Sequence, residues 1–195
     1  MKRTRTVILA GGRSERMGFN KLTAPFDGVP LGRRVVLGLR ELEPLLITTP
    51  AVAEVLSDLP FVRLVVTEPT AGPSQTLAIA HAAIPSDVFL TVLPCDVPFL
   101  DASLVTAFVK RVSNEADLAW PVVVGTPGHP VLWSPKARTR IARLRDDEPP
   151  SRVRRDCALR IEPIEECDDA YVTDVDTPGA WEAAEARAVS ARSSR

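Results

Sequence analysis

The residues with the most chemical content lie in a glycine-rich stretch at positions 9–21, Leu-Ala-Gly-Gly-Arg-Ser-Glu-Arg-Met-Gly-Phe-Asn-Lys. Its adjacent glycines, Gly11 and Gly12, allow a sharp turn and a close approach of backbone to ligand, because they carry no Cβ. Free N–H groups in such a loop bind anions. Three cations accompany the single acid of this stretch: Arg13, Arg16 and Lys21. The composition indicates a loop that holds phosphates.

The spacing of this stretch differs from the commoner phosphate-binding motifs. It matches neither G-x-G-x-x-G nor G-x-x-x-x-G-K-[ST], since no serine or threonine follows Lys21. A tight β–α turn with solvated charges is the plain structural alternative. The whole run favours phosphate chemistry, because transfer at a phosphorus needs a triphosphate held at several oxygens while the charge of the leaving pyrophosphate is stabilised.

Carboxylates suited to a metal ion follow two later segments. Asp96 comes directly after an apolar run, and Asp174 and Asp176 alternate in an extended segment, so the latter two point to the same face. Mg²⁺ prefers one or two carboxylates, with phosphate oxygens and water completing its shell. We therefore expect Asp96 to bind Mg²⁺ together with Asp176, and then Asp174. The alternatives are a turn cap at Asp96 and a helix cap at Asp176.

The elements that must position these groups alternate between strands and helices. Apolar runs predict buried strands at 7–10, 45–48, 62–66 and 88–93. Helical spacing predicts helices at 31–42, 52–59, 76–83, and from a cap at Asp101 or Ser103 to about Val112. This alternation implies right-handed crossovers and a mainly parallel sheet. The glycine-rich stretch and Asp96 then meet at the carboxyl edge, where open α/β folds bind ligands.

The rhythm changes after about residue 115. Short strands predicted at 122–124, 131–133 and 160–162 are interrupted by turns and by an arginine-rich helical stretch around 135–145. We interpret this part as an insertion or mixed sheet edge. A final helix opens at Asp176-Thr177-Pro178, with proline at its first position. The prediction is one Rossmann-like, three-layer α/β/α domain over residues 1–189, followed by a frayed tail at 190–195.

Composition restricts the classes of function. The chain has 195 residues, 45% hydrophobic and 25% charged, as in ordinary single-domain globular proteins. Its formal net charge of −1 provides no overall field for nucleic acid or a membrane surface. Three cysteines without C-x-x-C spacing argue against disulfides and structural zinc. The run at 7–10 is too short for a signal peptide or a membrane span. We expect a cytoplasmic protein without nucleic-acid or membrane partners.

Three motifs together resemble those of a known family. Leu-Ala-Gly-Gly-x-Ser-x-Arg-Met-Gly-x-x-Lys is similar to the signature of the molybdenum cofactor guanylyltransferases and cytidylyltransferases, within the sugar-nucleotidyltransferase-like superfamily. Pro-Cys-Asp-x-Pro-Phe resembles that family's metal-binding aspartate, and Asp-x-Asp-Thr-Pro its carboxy-terminal motif. The resemblance spans residues 7–178. It implies a nucleotidyltransferase domain that moves a nucleoside monophosphate from an NTP to a phosphorylated acceptor with Mg²⁺, releasing pyrophosphate.

The resemblance also implies roles for individual residues. The loop is expected to wrap the nucleotide phosphates, with catalytic roles for Arg16, Lys21 and Asp96. The residues expected to bind the nucleotide are Leu9, Ala10, Gly11, Gly12, Arg13, Ser14, Lys21, Pro73, Ser74, Thr76 and Asp96. No enzyme nucleophile is needed, because the acceptor phosphate can attack the α-phosphorus itself. Cys95 is therefore expected to be a small buried hydrophobe.

Candidate contacts to the acceptor come from the second half of the chain. The family places the segment 128–132 beside the acceptor, so His129 is a candidate phosphate or pterin contact, with a structural histidine as the alternative. Eight arginines lie between 138 and 160, where a solvated helix face is the plain interpretation. The sharper one is an acceptor-phosphate clamp using Arg152, Arg154 or Arg155. The tryptophans are expected to pack rather than to stack on a base: Trp120, Trp133 and Trp181.

The sequence features that bear on the choice of nucleotide base disagree with one another. A side chain at position 11 would narrow the space near the base, so Gly11 favours a purine, and Leu-Ala-Gly-Gly resembles the guanylyltransferases, whereas cytidylyltransferases tend to have Leu-Ala-Ala-Gly. The segments 128–132 and 174–178 look more like the cytidylyltransferase branch. The loop 71–77 has the Gly-Pro start of guanylyltransferases without their usual Leu-Ala-Gly continuation. We predict GTP as donor and a molybdopterin-type cofactor as acceptor.

Other functions remain open at this point. Within the class they are CMP transfer from CTP to the same pterin and guanylyl transfer to adenosylcobinamide phosphate, whose enzymes share a similar glycine loop. Sugar-1-phosphate nucleotidyltransferases are usually longer. Outside the class, a non-catalytic nucleotide- or cofactor-binding protein is possible, although the two aspartate clusters and Lys21 argue against it. The oligomeric state is not predicted.

Overall fold

A computed structural model describes residues 2–12 and 17–193 of the chain. Within these ranges there are ten strands and six α-helices. The strands are β1 (Thr4–Ala10), β2 (Pro25–Phe26), β3 (Val29–Pro30), β4 (Leu45–Thr48), β5 (Arg63–Val66), β6 (Phe89–Pro94), β7 (Leu118–Val123), β8 (Thr126–Pro127), β9 (Val131–Trp133) and β10 (Ile161–Glu165). The helices are α1 (Leu31–Gly38), α2 (Pro50–Glu54), α3 (Pro73–Ala83), α4 (Ala102–Arg111), α5 (Pro135–Arg138) and α6 (Pro178–Ser193).

The main sheet has the strand order β10-β7-β9-β6-β1-β4-β5, with β8 paired to β7. Parallel pairs join β1 to β4 and to β6, β4 to β5, and β10 to β7. Strand β9 runs antiparallel to both β6 and β7. The predicted mainly parallel sheet with a mixed edge is therefore confirmed. The register sets Leu9 opposite both Ile47 and Pro94, so β1, β4 and β6 end level with one another.

Alternating side chains of the strands enter two apolar clusters on the two faces of the sheet. Ile8 belongs to a cluster with residues of α1, α2, α4 and α6, whereas Val7 belongs to a cluster with residues of α3 and α5. This alternation is the period of two expected of a strand that is buried on both faces. The three-layer α/β/α architecture predicted from the sequence is confirmed. No helix in the described part of the chain is long and apolar enough to cross a membrane.

Several helix bounds differ from the predicted ones. The helix predicted over 31–42 ends at Gly38 and is followed by a separate 3₁₀ turn at 40–42, and the stretch 52–59 is helical only to Glu54. The predicted cap Asp101 accepts a hydrogen bond from the Leu104 N–H and starts α4. Helix α6 is capped by Thr177, whose hydroxyl accepts from the Ala180 N–H at 3.3 Å. It continues to Ser193, past residue 190 where a frayed tail was predicted.

The arginine-rich stretch 135–145 is not one helix, and its Arg138 is buried in the core. Helix α5 has four residues and a 3₁₀ turn follows at 141–143. The Arg138 side chain is fully buried and donates to His81 Nδ1 at 3.2 Å. It also donates to four backbone carbonyls, those of His81, Ile84, Pro85 and Val88. These carbonyls lie at and after the end of α3, so the guanidinium ties α5 to the helix that forms one wall of the site.

Candidate nucleotide and metal site

A cavity of about 780 Å³ opens at the carboxyl edge of the sheet, where β1 and β6 end. The three segments that the sequence singled out meet there. The loop after β1 contributes Gly11, Gly12 and Lys21, the end of β6 leads to Asp96, and the segment before α6 contributes Asp174 and Asp176. The cavity is also lined by other predicted nucleotide-binding residues: Leu9, Ala10, Pro73 and Thr76.

Lys21 joins the two carboxylate segments. Its ammonium donates to Asp96 Oδ2 and to Asp176 Oδ1, each at 2.6 Å, and to the Val175 carbonyl at 2.9 Å. The backbone of the two segments is also linked, since the Val175 N–H donates to the Asp96 carbonyl at 3.0 Å. Three parts of the chain that are far apart in sequence are thereby fixed at one point.

The extended segment 174–176 places its side chains as the alternation predicted. Val175 is fully buried in the apolar cluster on one side, while Asp174 and Asp176 line the cavity on the other. Thr177 caps α6, and the Asp176 carboxylate accepts a hydrogen bond from Lys21. The residue that precedes Pro178, Thr177, thus supplies a cap for α6.

Burial governs the electrostatics of Asp96. Its removal from water raises the pKa of the Asp96 carboxyl from 3.8 to about 6, although the neighbouring Lys21 ammonium opposes this. The pKa of Lys21 is also raised: burial lowers it, but the charges and hydrogen bonds of Asp96 and Asp176 outweigh that effect. Asp96 Oδ1 is buried without a hydrogen-bond partner among the described residues.

The carboxylates fit a hard divalent ion that completes its shell with other oxygens. No group of three or more His, Cys, Asp or Glu side chains within residues 2–12 and 17–193 is arranged to hold a metal. Two carboxylates with phosphate and water oxygens are a usual set for Mg²⁺. The unpartnered Oδ1 of Asp96 supplies a lone pair that this set requires.

The wall beside Gly11 is built from two threonines. The Gly11 carbonyl accepts from the Thr70 N–H at 2.9 Å and from the Thr70 hydroxyl at 3.1 Å. The hydroxyls of Thr70 and Thr76 lie 2.7 Å apart. A Cβ added to Gly11 would lie 3.1–3.2 Å from these two side chains. The space next to Gly11 is therefore already filled by the threonines, and the simple steric argument for a purine does not hold.

The segment 146–151 packs over the loop that precedes α3. A Cβ on Gly72 would lie 2.7 Å from the Asp146 carbonyl oxygen, so only glycine allows this approach. Ser74 donates to the Glu148 carbonyl at 2.6 Å and does not line the described cavity, in contrast to its predicted contact with the nucleotide. The 3₁₀ turn that follows, at 150–155, places Arg154 in the cavity wall.

Arg154 is the arginine of the predicted clamp that reaches the cavity. Its guanidinium lies over the Trp120 ring, 4.3 Å from the ring centroid, and burial lowers its pKa. Arg152 and Arg155 are exposed and are not among the described lining residues, and Arg152 forms an ion pair with Glu148. The structure thus does not bring these two arginines to the cavity.

His129 lies at the cavity beside Arg154. The backbone N–H of His129 donates to the Tyr171 carbonyl at 2.8 Å. Gly128 approaches that same carbonyl so closely that no side chain would fit at position 128. Burial, and then the Arg154 charge, lowers the pKa of His129 to about 4. His129 is therefore neutral at pH 7, and its Nδ1 has no hydrogen-bond partner among the described residues.

Comparison with known proteins agrees with this geometry. Residues 6–162 match the family model described as the MobA-like NTP transferase domain. The chain belongs to this family. The matched region contains most of β1, Lys21 and Asp96, whereas Asp174 and Asp176 lie beyond it, so their place in the site rests on the geometry alone.

Named relatives of the MobA-like chain are molybdenum cofactor guanylyltransferases. That of Rhizobium leguminosarum bv. trifolii (strain WSM2304) is 32% identical over 136 residues, which are 65% of this chain and 61% of the relative. That of Rhizobium rhizogenes (strain K84 / ATCC BAA-868) is 30% identical over 133 residues, with the same coverage. The match thus spans about three fifths of the length of these relatives.

Solved structures share the fold at low identity. Rv0371c of Mycobacterium tuberculosis H37Rv superposes with a TM-score of 0.78 at 18% identity, covering 93% of this chain and 96% of that one. A second structure of Rv0371c, with a TM-score of 0.75, is a complex with manganese. Molybdopterin-guanine dinucleotide biosynthesis protein A from Archaeoglobus fulgidus gives 0.74 at 16% identity, covering 95% and 99%.

Some predicted residues lie outside the described part of the chain, and some residues that line the cavity of this MobA-like chain were not predicted. Arg13, Ser14 and Arg16 lie outside the described residues. Cys95 is buried, and burial raises the pKa of its thiol, as expected of a small hydrophobe. The sequence did not indicate several residues that line the cavity: Thr70, Val92, Leu118, Trp133, Pro150 and Ser151. The sequence feature that could have indicated the packing of segment 146–151 over this loop is Gly72, because a residue without a Cβ lets another backbone approach.

Proposed function

We propose that this chain is a nucleotidyltransferase that transfers GMP from GTP to a phosphorylated acceptor of the molybdopterin type and releases pyrophosphate. One observation carries the proposal: the glycine pair after β1, the Lys21 ammonium and the carboxylates of Asp96 and Asp176 meet in a single cavity at the carboxyl edge of the sheet. The names of the Rhizobium relatives support the choice of GTP and pterin.

The residues that we assign to the reaction divide into three groups by chemistry. The backbone of Gly11 and Gly12, with Arg16 and Lys21, binds the phosphates of the nucleotide. Asp96 and Asp176, with Asp174 nearby, would hold Mg²⁺, which would neutralise charge on the phosphate oxygens. Thr70 and the segment 71–76 form the wall that faces the nucleoside.

The reaction needs no covalent intermediate on the chain. An oxygen of the acceptor phosphate attacks the α-phosphorus of GTP as the bond from that phosphorus to the β-phosphate oxygen breaks. The residues of the site hold the two anions close and in line, which supplies most of the rate. Arg154 contributes a cation on the acceptor side, and His129 contributes a neutral ring beside it because its pKa is depressed.

CTP is the alternative donor, because Gly11 does not by itself distinguish a purine from a pyrimidine. Thr70 and Thr76 already fill the volume beside Gly11, so the absence of a side chain there does not by itself make room for a purine. A cytidylyltransferase of the same acceptor is therefore the second candidate.

The test is pyrophosphate release with each of the four NTPs and Mg²⁺, with and without a molybdopterin-type acceptor. We expect acceptor-dependent release with GTP, and loss of release in Asp96→Ala, with Lys110→Ala on the exposed face of α4 as a control that keeps full activity. Acceptor-dependent pyrophosphate release with CTP and not with GTP would identify CTP as the donor. Binding of GTP without release with any acceptor would overturn the proposal in favour of a non-catalytic nucleotide-binding protein.

A further inference from the structure

The Lys21 ammonium has no donor left for a phosphate. An ammonium carries three N–H groups, and Lys21 donates them to Asp96 Oδ2, Asp176 Oδ1 and the Val175 carbonyl. Its side chain is 9% exposed. In this arrangement Lys21 neutralises the carboxylates of the site and does not reach for a nucleotide.

We propose that Lys21 and the divalent metal ion are alternative occupants of the Asp96–Asp176 carboxylate pair. In the ligand-free protein the ammonium holds the two carboxylates, and it leaves them when a metal–triphosphate complex binds. This inference rests on the proposed function for the identity of that complex. The physical reason is repulsion, because an ammonium and a divalent cation that share the same carboxylate oxygens at ion-pair distance oppose each other strongly in a site shielded from water.

The exchange couples metal binding to triphosphate binding. Without Lys21, two carboxylates would face each other beside the exposed Asp174, so the ammonium offsets the repulsion between their charges. Once displaced, it needs a new anionic partner, and its flexible four-carbon stem allows it to turn towards a phosphate. A metal ion alone displaces Lys21 at a cost in free energy, because the ammonium loses its carboxylate partners. A metal ion with a triphosphate gives the ammonium a phosphate as a new partner. Each ligand then strengthens the binding of the other by the same factor.

The experiment measures the binding of Mn²⁺ without nucleotide. The electron paramagnetic resonance signal of free Mn²⁺ reports the binding, at about pH 8, where carboxylates are ionised. Lys21→Met keeps the apolar stem and removes the charge. We expect it to bind Mn²⁺ on the order of tenfold more tightly than wild type, which corresponds to about 1.4 kcal/mol. Lys110→Met makes the same change of net charge on an exposed face of α4 and should leave the affinity unchanged. A Lys21→Met protein that binds Mn²⁺ no more tightly than wild type would overturn the inference.

A second measurement uses the wild-type protein, in case Lys21→Met folds poorly. The ¹⁵N resonance of the buried ammonium should be visible without ligand and should move when Mg²⁺ and GTP are added together, but not with Mg²⁺ alone at the same concentration. A resonance that stays in place at saturating Mg²⁺ and GTP would show that Lys21 keeps its partners.

Neither measurement depends on turnover. Tighter Mn²⁺ binding by Lys21→Met, in a protein that releases no pyrophosphate with any NTP, would sustain the competition and overturn the proposed function. Pyrophosphate release by the wild type, with no gain in Mn²⁺ affinity for Lys21→Met, would do the reverse.

Discussion

Replacing Asp96 with asparagine should make the metal-free protein more stable while it abolishes the proposed turnover. The Asp96 side chain is 14% exposed, and burial raises its pKa from 3.8 to about 6 despite the adjacent Lys21. At 1.36 kcal/mol for each pKa unit, the fold disfavours the ionised carboxylate by about 3 kcal/mol. Asparagine is uncharged, has the same shape and keeps a carbonyl oxygen for Lys21.

The size of this effect should depend on pH. Because the folded-state pKa of Asp96 is the higher one, the folded protein binds more protons than the unfolded chain between about pH 4 and pH 6. Stability is therefore lost as the pH rises through that window. The advantage of Asp96→Asn should be about 3 kcal/mol above it, and should disappear below about pH 4, where Asp96 is protonated in both states.

Urea unfolding with EDTA present, above and below this pH window, measures the effect. Asp117→Asn is the matched control with the opposite sign. Although burial opposes it, hydrogen bonds from the Arg160 N–H, Lys136 and Ser134 lower the pKa of Asp117, so its loss should destabilise the protein at neutral pH. An Asp96→Asn protein less stable than wild type at neutral pH, or a gain that does not change with pH, would refute the reasoning.

Three further substitutions test the walls of the cavity. Gly72→Ala places a Cβ 2.7 Å from the Asp146 carbonyl oxygen, so the free energy of unfolding should fall by about 1–3 kcal/mol in urea titrations; an unchanged value would contradict the close approach. Arg138→Leu removes the donor to four carbonyls, of which those of Ile84 and Val88 are buried, and should cost about 2–6 kcal/mol by the same assay, at about 1–3 kcal/mol for each buried carbonyl left unpaired; a loss below about 1 kcal/mol would mean that these carbonyls find other donors. Arg154→Ala should raise the KM for the acceptor roughly tenfold with little change in the KM for GTP, whereas the exposed Arg152→Ala should change neither; equal effects of the two would contradict the placement.

The sheet and the metal edge could be predicted because several local signals coincide there. The apolar runs 45–48 and 131–133 match β4 and β9 residue for residue. Strand ends then determine which loops share an edge, so the glycine pair and Asp96 follow from the strand pattern and the parallel rule. The alternation of Asp174 and Asp176 likewise predicts their common face, because the period of an extended chain is two.

The far wall of the cavity could not be predicted, because its residues are selected by packing between distant segments. Arg152, Arg154 and Arg155 lie on one 3₁₀ turn, and nothing in the local sequence distinguishes them. Arg154 differs from the other two in that its guanidinium lies over the ring of Trp120, which is far earlier in the chain. Gly11 shows the same limit, since the meaning of its missing Cβ depends on Thr70 and Thr76, which only the fold brings next to it.

The burial of Asp96 and the bridging by Lys21 have one physical cause. A carboxylate held out of water binds a divalent cation strongly, because little water competes for its oxygens, but it is costly while it waits. Lys21 reduces that cost and ties the segments at 21, 96 and 176 together at 2.6 Å. An internal cation that bound the two carboxylates less tightly would leave the segments free to separate. One that bound them more tightly would exclude the metal. Lysine suits both requirements because its single charge is outcompeted by a divalent ion and its long stem can follow the phosphate.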